Sequence, residues 1–189
     1  MSDRPSSNRR QNRPPKPLNS ALFEELALAY VARFSTTAAK LERYLKRKLR
    51  ERGWQDDGEP AIGTLVQRYV QMGYVDDEGF AREKAGSLLR RGYGGRRVGQ
   101  ALREAGIAED LRRRMRPDDA AARRAVLTLA RRRRFGPFGS VPPDKPLREK
   151  QIAAMLRAGH TLDNAREIVN AASIDEAEQW AAEADETET

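Results

Sequence analysis

The sequence predicts an all-α protein: three tandem three-helix-bundle repeats forming an elongated, curved molecule. Three observations carry that reading. No stretch alternates apolar and polar residues with period two, whereas apolar residues recur at helical spacings along most of the chain. Gly53, Gly106 and Gly159 are spaced by 53 residues and again by 53, and close similar segments: Leu49-Arg-Glu-Arg-Gly, Leu102-Arg-Glu-Ala-Gly and Met155-Leu-Arg-Ala-Gly. Trp54, Ile107 and His160 follow these glycines directly, and Ile62, Met115 and Ile168 fall nine residues beyond them, each expected on the apolar side of the next helix. Finally, 189 residues with 39% hydrophobic, 6% aromatic and 34% charged content suit thin cores of Ala, Leu, Val and Ile shared by small helices. Units of this size are marginal alone, so neighbours should share interfaces.

Taken in order, residues 1–17 form a basic N-terminal tail rich in Arg, Asn, Ser and Pro, too polar to repay ordering, and are expected to be flexible. The first repeat, 18–73, opens with Asn19 as a helix cap and Leu18 with Phe23 as its hydrophobic staple. Ser35 or Thr36 caps a second helix in which Leu41, Leu45 and Leu49 recur every four residues up to Gly53. Pro60 suits the first turn of a third helix carrying Ile62, Leu65, Val66, Tyr69 and Val70, stopped by Gly73. The second repeat, 74–116, begins with Asp76 as N-cap, Val75 and Phe80 as staple, and Asp77 and Glu78 at the positive end of the helix dipole. That helix ends at Gly92. Gly94 and Gly95 turn the chain into a helix that ends at Gly106, and a short helix from about Ala108 to Met115 follows. Gly86 inside the first of these reads as tolerated.

The third repeat, 117–172, opens with Asp118 or Asp119 and a helix presenting Ala122, Ala125, Val126 and Leu129. A Gly/Pro-rich, non-helical loop covers 135–146. Two last helices span Leu147 to Ala158 and Thr161 to Ala172. Residues 173–189 form an acidic C-terminal tail.

The net charge is +8 with a pI of about 10.1. Residues 1–20 carry +4, residues 174–189 carry −7, and the body between them carries +11. A basic body suits an anionic partner such as nucleic acid or a nucleoprotein. The acidic tail reads either as a solubilising end or as a screen against non-specific nucleic-acid binding. With no cysteine, disulfides and thiolate metal sites are excluded. No apolar run approaches a membrane span or a signal-peptide core, so a cytoplasmic protein is expected.

The candidate chemistry lies in the central stretch. Asp76, Asp77 and Glu78 look like paired carboxylates, yet capping accounts for them and no histidine stands nearby, so neither catalysis nor metal binding is expected, nor any cofactor. Gly92-Tyr-Gly-Gly lacks the strand and Gly-Lys-Ser/Thr of a phosphate loop and reads as helix termination. His160 fills a repeat position. The candidate contacts to a partner or to DNA are Arg90, Arg91, Arg96, Arg97 and Arg103 around the central turn, with Arg131 and Arg134 from the run 131–134, where at most two side chains share a face. Lys46, Arg47, Lys48 and Arg50 pose the same question.

Together, Gly73-Tyr-Val-Asp-Asp-Glu-Gly-Phe-Ala, Arg90-Arg-Gly-Tyr-Gly-Gly-Arg-Arg-Val and the helix end from Leu102 to Gly106-Ile107 resemble the RecX family of regulatory proteins, as does Arg157-Ala-Gly-His-Thr-Leu. The resemblance covers residues from about 20 to 172. His160 stands where the family more often has an aromatic residue, and Gly79 and Gly86 stand where it has helix formers. The resemblance implies a non-enzymatic monomer whose partner is the RecA recombinase and its filament on single-stranded DNA. It also implies inhibition of recombinase, ATPase and co-protease activities, and so a role in DNA repair, recombination and the SOS response, with weak direct DNA binding as a further contact. The other reading of the same basic helices is a helix-turn-helix-type protein acting on DNA directly.

Overall fold

The computed structural model describes residues 16–186; the basic N-terminal tail therefore lies almost entirely outside the described residues. The helices are α1 (Ser20–Arg33), α2 (Ala38–Arg52), α3 (Ile62–Gln71), α4 (Asp77–Arg90), α5 (Gly95–Ala105), α6 (Glu109–Arg114), α7 (Asp119–Arg133), α8 (Lys145–Arg157), α9 (Leu162–Asn170) and α10 (Ile174–Glu186). Strand pairing among the described residues is limited to an isolated bridge between Leu18 and Trp54. The fold is all-helical.

Apolar burial divides into three clusters in chain order. The first gathers Phe23, Leu41, Leu45, Leu65 and Tyr69 from α1–α3, with Leu18 and Val75 from the flanking segments. The second unites Ala81, Leu88, Val98, Leu102, Ile107 and Leu111 from α4–α6. The third combines Val126, Leu129, Met155, Ile168 and Ala177 from α7–α10. Gly53, Gly106 and Gly159 all take positive φ, 77°, 81° and 97°, a conformation costly to any residue with a Cβ. The spacing of 53 therefore marks three helix ends that share a positive-φ glycine.

Several local expectations need correction. The N-cap of α2 is Thr37, not Ser35 or Thr36: its hydroxyl accepts from the Lys40 amide at 3.1 Å and donates to the Ala105 carbonyl at 2.6 Å. Pro60 precedes α3, whose first residue is Ile62. Val75 and Phe80 do not share one core, because Val75 joins the first cluster and Phe80 packs against the second. Ile62, Met115 and Ile168 each pack against the core of their own unit, as expected, but not at one common helix position. Ile62 starts α3, Met115 caps the end of α6 and Ile168 lies inside α9, since a longer loop separates Gly53 from its following helix.

The loop 135–146 is shorter than expected, with a 3₁₀ turn at Gly136–Phe138 and α8 already begun at Lys145 under an Asp144 cap. The largest difference is the acidic tail: residues 174–186 are helical and dock on α7. Ala177, Ala181 and Ala184, one turn apart, are buried. The charges that dominate this segment's composition occupy its other faces, so composition hid an amphipathic helix.

Candidate partner interface

The central motif forms the joints between units. Asp76 caps its own helix, its Oδ1 accepting from the Gly79 amide at 2.9 Å. Asp77 reaches backward instead, and its Oδ1 accepts from the Ala38 amide at 2.8 Å, satisfying a free donor in the first turn of α2. The Thr37 hydroxyl closes the same joint on the Ala105 carbonyl, and Gly106 meets the Ala39 methyl where a Cβ would not fit. Glu78 pairs with Arg82 at 3.0 Å and with Arg114 at 3.7 Å. All three carboxylates are thus committed, two to backbone amides and one to arginines.

The Gly92–Gly95 turn does more than end a helix. It forms the joint to the third unit. The Gly94 amide donates to the Ala158 carbonyl at 3.0 Å and the Arg96 amide to the Gly159 carbonyl at 3.1 Å. Gly92 lies against the Leu129 backbone, too close for a side chain. His160 inserts into this joint, its Nε2–H donating to the Gly92 carbonyl at 3.0 Å. Burial pushes the imidazole below its ordinary pKa, partly opposed by that hydrogen bond. It faces a carbonyl, with no carboxylate in its hydrogen bonding, an arrangement suited to packing and not to proton transfer.

Around this joint the arginines separate. Arg96 and Arg103, two turns apart on α5, line a cleft of about 530 Å³ together with Arg112, Arg113 and Arg116, and its far wall is the start of α9 at Thr161 and Asn164. The α6 arginines are not among the contacts expected from the sequence, although the run Arg112-Arg-Arg and Arg116 was the available signal. Arg112 is partly tied down, donating to the Ile107 carbonyl at 3.0 Å and pairing with Glu109. The Arg112 hydrogen bond, followed by its charge, holds the Glu109 carboxyl below the usual range. Glu109 is the one carboxylate lining the cleft.

The other candidates lie outside this cleft. Arg97 donates to Gln100 at 2.9 Å, which in turn donates to Glu104, on a neighbouring face of α5. Arg91 covers the Tyr93 ring at 5.4 Å, and Arg90 folds back beside Gly86. Arg131 is bound to Glu178 of α10 and sits 5.8 Å from the Phe138 ring. Arg134, in a left-handed conformation at the end of α7, borders a separate depression of about 340 Å³ with Phe135 and Lys150. Among the described residues no three His, Cys, Asp or Glu side chains converge as metal ligands, and no helix is long and apolar enough to cross a membrane.

The fold and this geometry define a helical-repeat protein whose most distinctive sequence block builds both joints, with an arginine-lined cleft beside the second. A family model described as the second three-helix domain of RecX matches residues 76–114, the segment that forms the second core. A "Regulatory protein RecX" of Mycobacterium sp. (strain JLS) is 31% identical over 160 residues, covering 82% of this chain and 86% of that protein. One from Myxococcus xanthus (strain DK1622) is 27% identical over 165 residues, covering 82% and 88%. The crystal structure of RecX from Lactobacillus salivarius shares the fold, with a TM-score of 0.63 at 17% identity over 79% of this chain and 93% of that one. The chain belongs to the RecX family of regulatory proteins.

Proposed function

We propose that this protein regulates the RecA recombinase by binding the RecA filament on single-stranded DNA and inhibiting its recombinase, ATPase and co-protease activities. It does so as a monomer without chemistry of its own, and so modulates DNA repair, recombination and the SOS response. The observation that carries the reading is the cleft between α5, α6 and the start of α9. Five arginines face one carboxylate there, an imbalance that suits an acidic protein surface or a phosphate backbone. Its place beside the Gly94–Gly159 joint also means that a ligand in the cleft touches two units at once.

The test adds the protein to RecA, single-stranded DNA and ATP and follows ATP hydrolysis alongside binding to naked DNA. Inhibition at concentrations well below those that coat free DNA is expected. Changing Arg103, Arg113 and Arg116 to Glu should abolish it while leaving helicity and melting unchanged. Inhibition that begins only when the DNA itself is sequestered favours direct helix-turn-helix-type DNA binding, and full inhibition by the triple variant refutes the cleft assignment.

A further inference from the structure

Two features of the cleft between α5, α6 and α9 are not accounted for by packing. The first is its glycine floor. Gly95 and Gly99, four residues apart and so on one face of α5, both line the cleft. Gly95 has a neighbour that explains it, because a Cβ there would stand 3.1 Å from the Pro117 ring. Gly99 has none. It lies in the interior of α5, where glycine is destabilising relative to alanine, and a Cβ on it would meet nothing within 4 Å. No turn, cap or close approach within the protein asks for glycine at this position, and its bare backbone faces the open cleft.

The second feature is a set of uncommitted polar groups. Arg112 takes Glu109, which leaves Arg103, Arg113 and Arg116 outside any ion pair among the described residues. On the far wall the Asn164 backbone amide donates to the Thr161 hydroxyl at 3.3 Å, but the Asn164 side-chain amide has no hydrogen bond among the described residues. The helix spreads these groups along the cleft. Arg96 stands at the joint, donating to the His160 carbonyl at 3.3 Å, with Pro117 against Gly95 and Asn164 one turn beyond His160. Arg103 lies seven residues further along α5, about 10 Å down its axis, beside the arginines of α6. One end therefore offers an apolar wall and a free amide, and the other a cluster of guanidinium groups. The volume of about 530 Å³ falls within the range of small-ligand sites, roughly 300–1,000 Å³.

We infer that this cleft is a binding site for a free nucleoside triphosphate. The planar base lies on the bare backbone at Gly99, its edge meets the Asn164 amide, and the phosphates meet Arg103, Arg113 and Arg116. An amide offers one donor and one acceptor side by side, a pattern matched best by adenine. A phosphate chain without a base, or an acidic peptide, would use the arginines but leave the glycine floor and the free amide without a role. A triphosphate also concentrates its charge at one end, as the clustered guanidinium groups require, whereas a nucleic-acid strand carries single charges spaced a nucleotide apart. Nucleotide and filament would compete for these arginines, a consequence that rests on the RecA reading; binding of the nucleotide itself does not.

The test is isothermal titration calorimetry of the full chain with ATP and with inorganic tripolyphosphate, in the absence of RecA and DNA. One ATP per chain is expected, with tripolyphosphate weaker on the order of 10-fold because it buries no base. Gly99→Leu should raise the melting temperature, since leucine is the better helix former, and should lower the ATP affinity to that of tripolyphosphate. Gly99→Ala is the smaller version of the same change, and circular dichroism checks that both variants fold. Arg113→Gln with Arg116→Gln should weaken both ligands on the order of 100-fold, about 10-fold per charge-assisted contact. Lys46→Gln with Arg47→Gln removes the same charge from α2 and should leave both affinities unchanged. Failure of the full chain to bind ATP overturns the inference, as does tripolyphosphate binding as tightly as ATP. So does undiminished ATP affinity in the folded Gly99 variants. Equal weakening by the two charge-removing pairs would show general attraction to a basic chain, and the site would again be refuted.

Discussion

Replacing Gly94 with alanine isolates the joint between the second and third units. Gly94 has φ −83° and ψ 170°, an ordinary extended conformation, so alanine brings no backbone strain and restricts the unfolded chain, a gain of about 0.4–1 kcal/mol. The obstacle is across the joint. A Cβ on Gly94 would overlap the Gly159 carbonyl and stand 2.5 Å from the His160 nitrogen, and both are backbone atoms that cannot swing aside. Separating the chains loses the hydrogen bonds from the Gly94 and Arg96 amides, at 3.0 and 3.1 Å, each contributing about 1 kcal/mol. Overpacking of this kind costs about 1–3 kcal/mol in its own right. The net expectation is destabilisation of about 2–5 kcal/mol. Urea unfolding followed by circular dichroism reads the loss, and amide exchange at Gly94 and Arg96 locates it. Gly86→Ala is the control: its Cβ meets only the mobile end of Arg90 at 3.1 Å, so the same change inside α4 should stabilise by about 1 kcal/mol. A Gly94→Ala protein that is as stable as the parent, with both amides still protected, would refute the joint as described.

Three further outcomes are expected. Asp77→Ala should cost about 1 kcal/mol and speed exchange of the Ala38 amide without fraying α4, whereas Asp76→Ala should fray α4; identical exchange patterns in the two would contradict the division of labour. Because burial lowers the folded-state pKa of His160 beneath its ordinary 6.5, the unfolded chain takes up a proton first as pH falls, so stability tied to His160 is present above about 6.5 and lost below it. His160→Gln keeps an N–H donor that does not titrate, and its melting temperature should fall less than the parent's between about pH 7.5 and 5.5; equal falls would exclude His160 as the cause. Deleting residues 174–189 should lower stability by at least about 2 kcal/mol, measured by urea unfolding, because it strips α10 from the third core and removes Trp180, whose ring lies 4.7 Å from the Arg123 guanidinium. A truncated chain as stable as the parent would restore the reading of this segment as a mere tail.

What the sequence by itself determined is local. Helix periodicity, the Asn19, Asp76 and Asp118 caps and the glycine ends at Gly53, Gly106 and Gly159 depend on interactions within a turn or two, and each lies where the pattern places it. The all-helical class follows from them. The tertiary structure decided whatever depends on which helix face meets which neighbour. The partner of Asp77 is an amide 39 residues earlier, and Gly94 needs no side chain because of Gly159, at the far end of α8. Arg96 and Arg103 look like their neighbours in the sequence, and only the packing of α6 and α9 joins them to Arg113 and Arg116 in one cleft. Arg131, from the densest basic run, is bound by Glu178, 47 residues away. Capping and periodicity are written within a few residues, but the pairing of surfaces follows from three-dimensional packing over tens of residues, so the central motif shows its helix boundaries in the sequence and its two joints only in the fold.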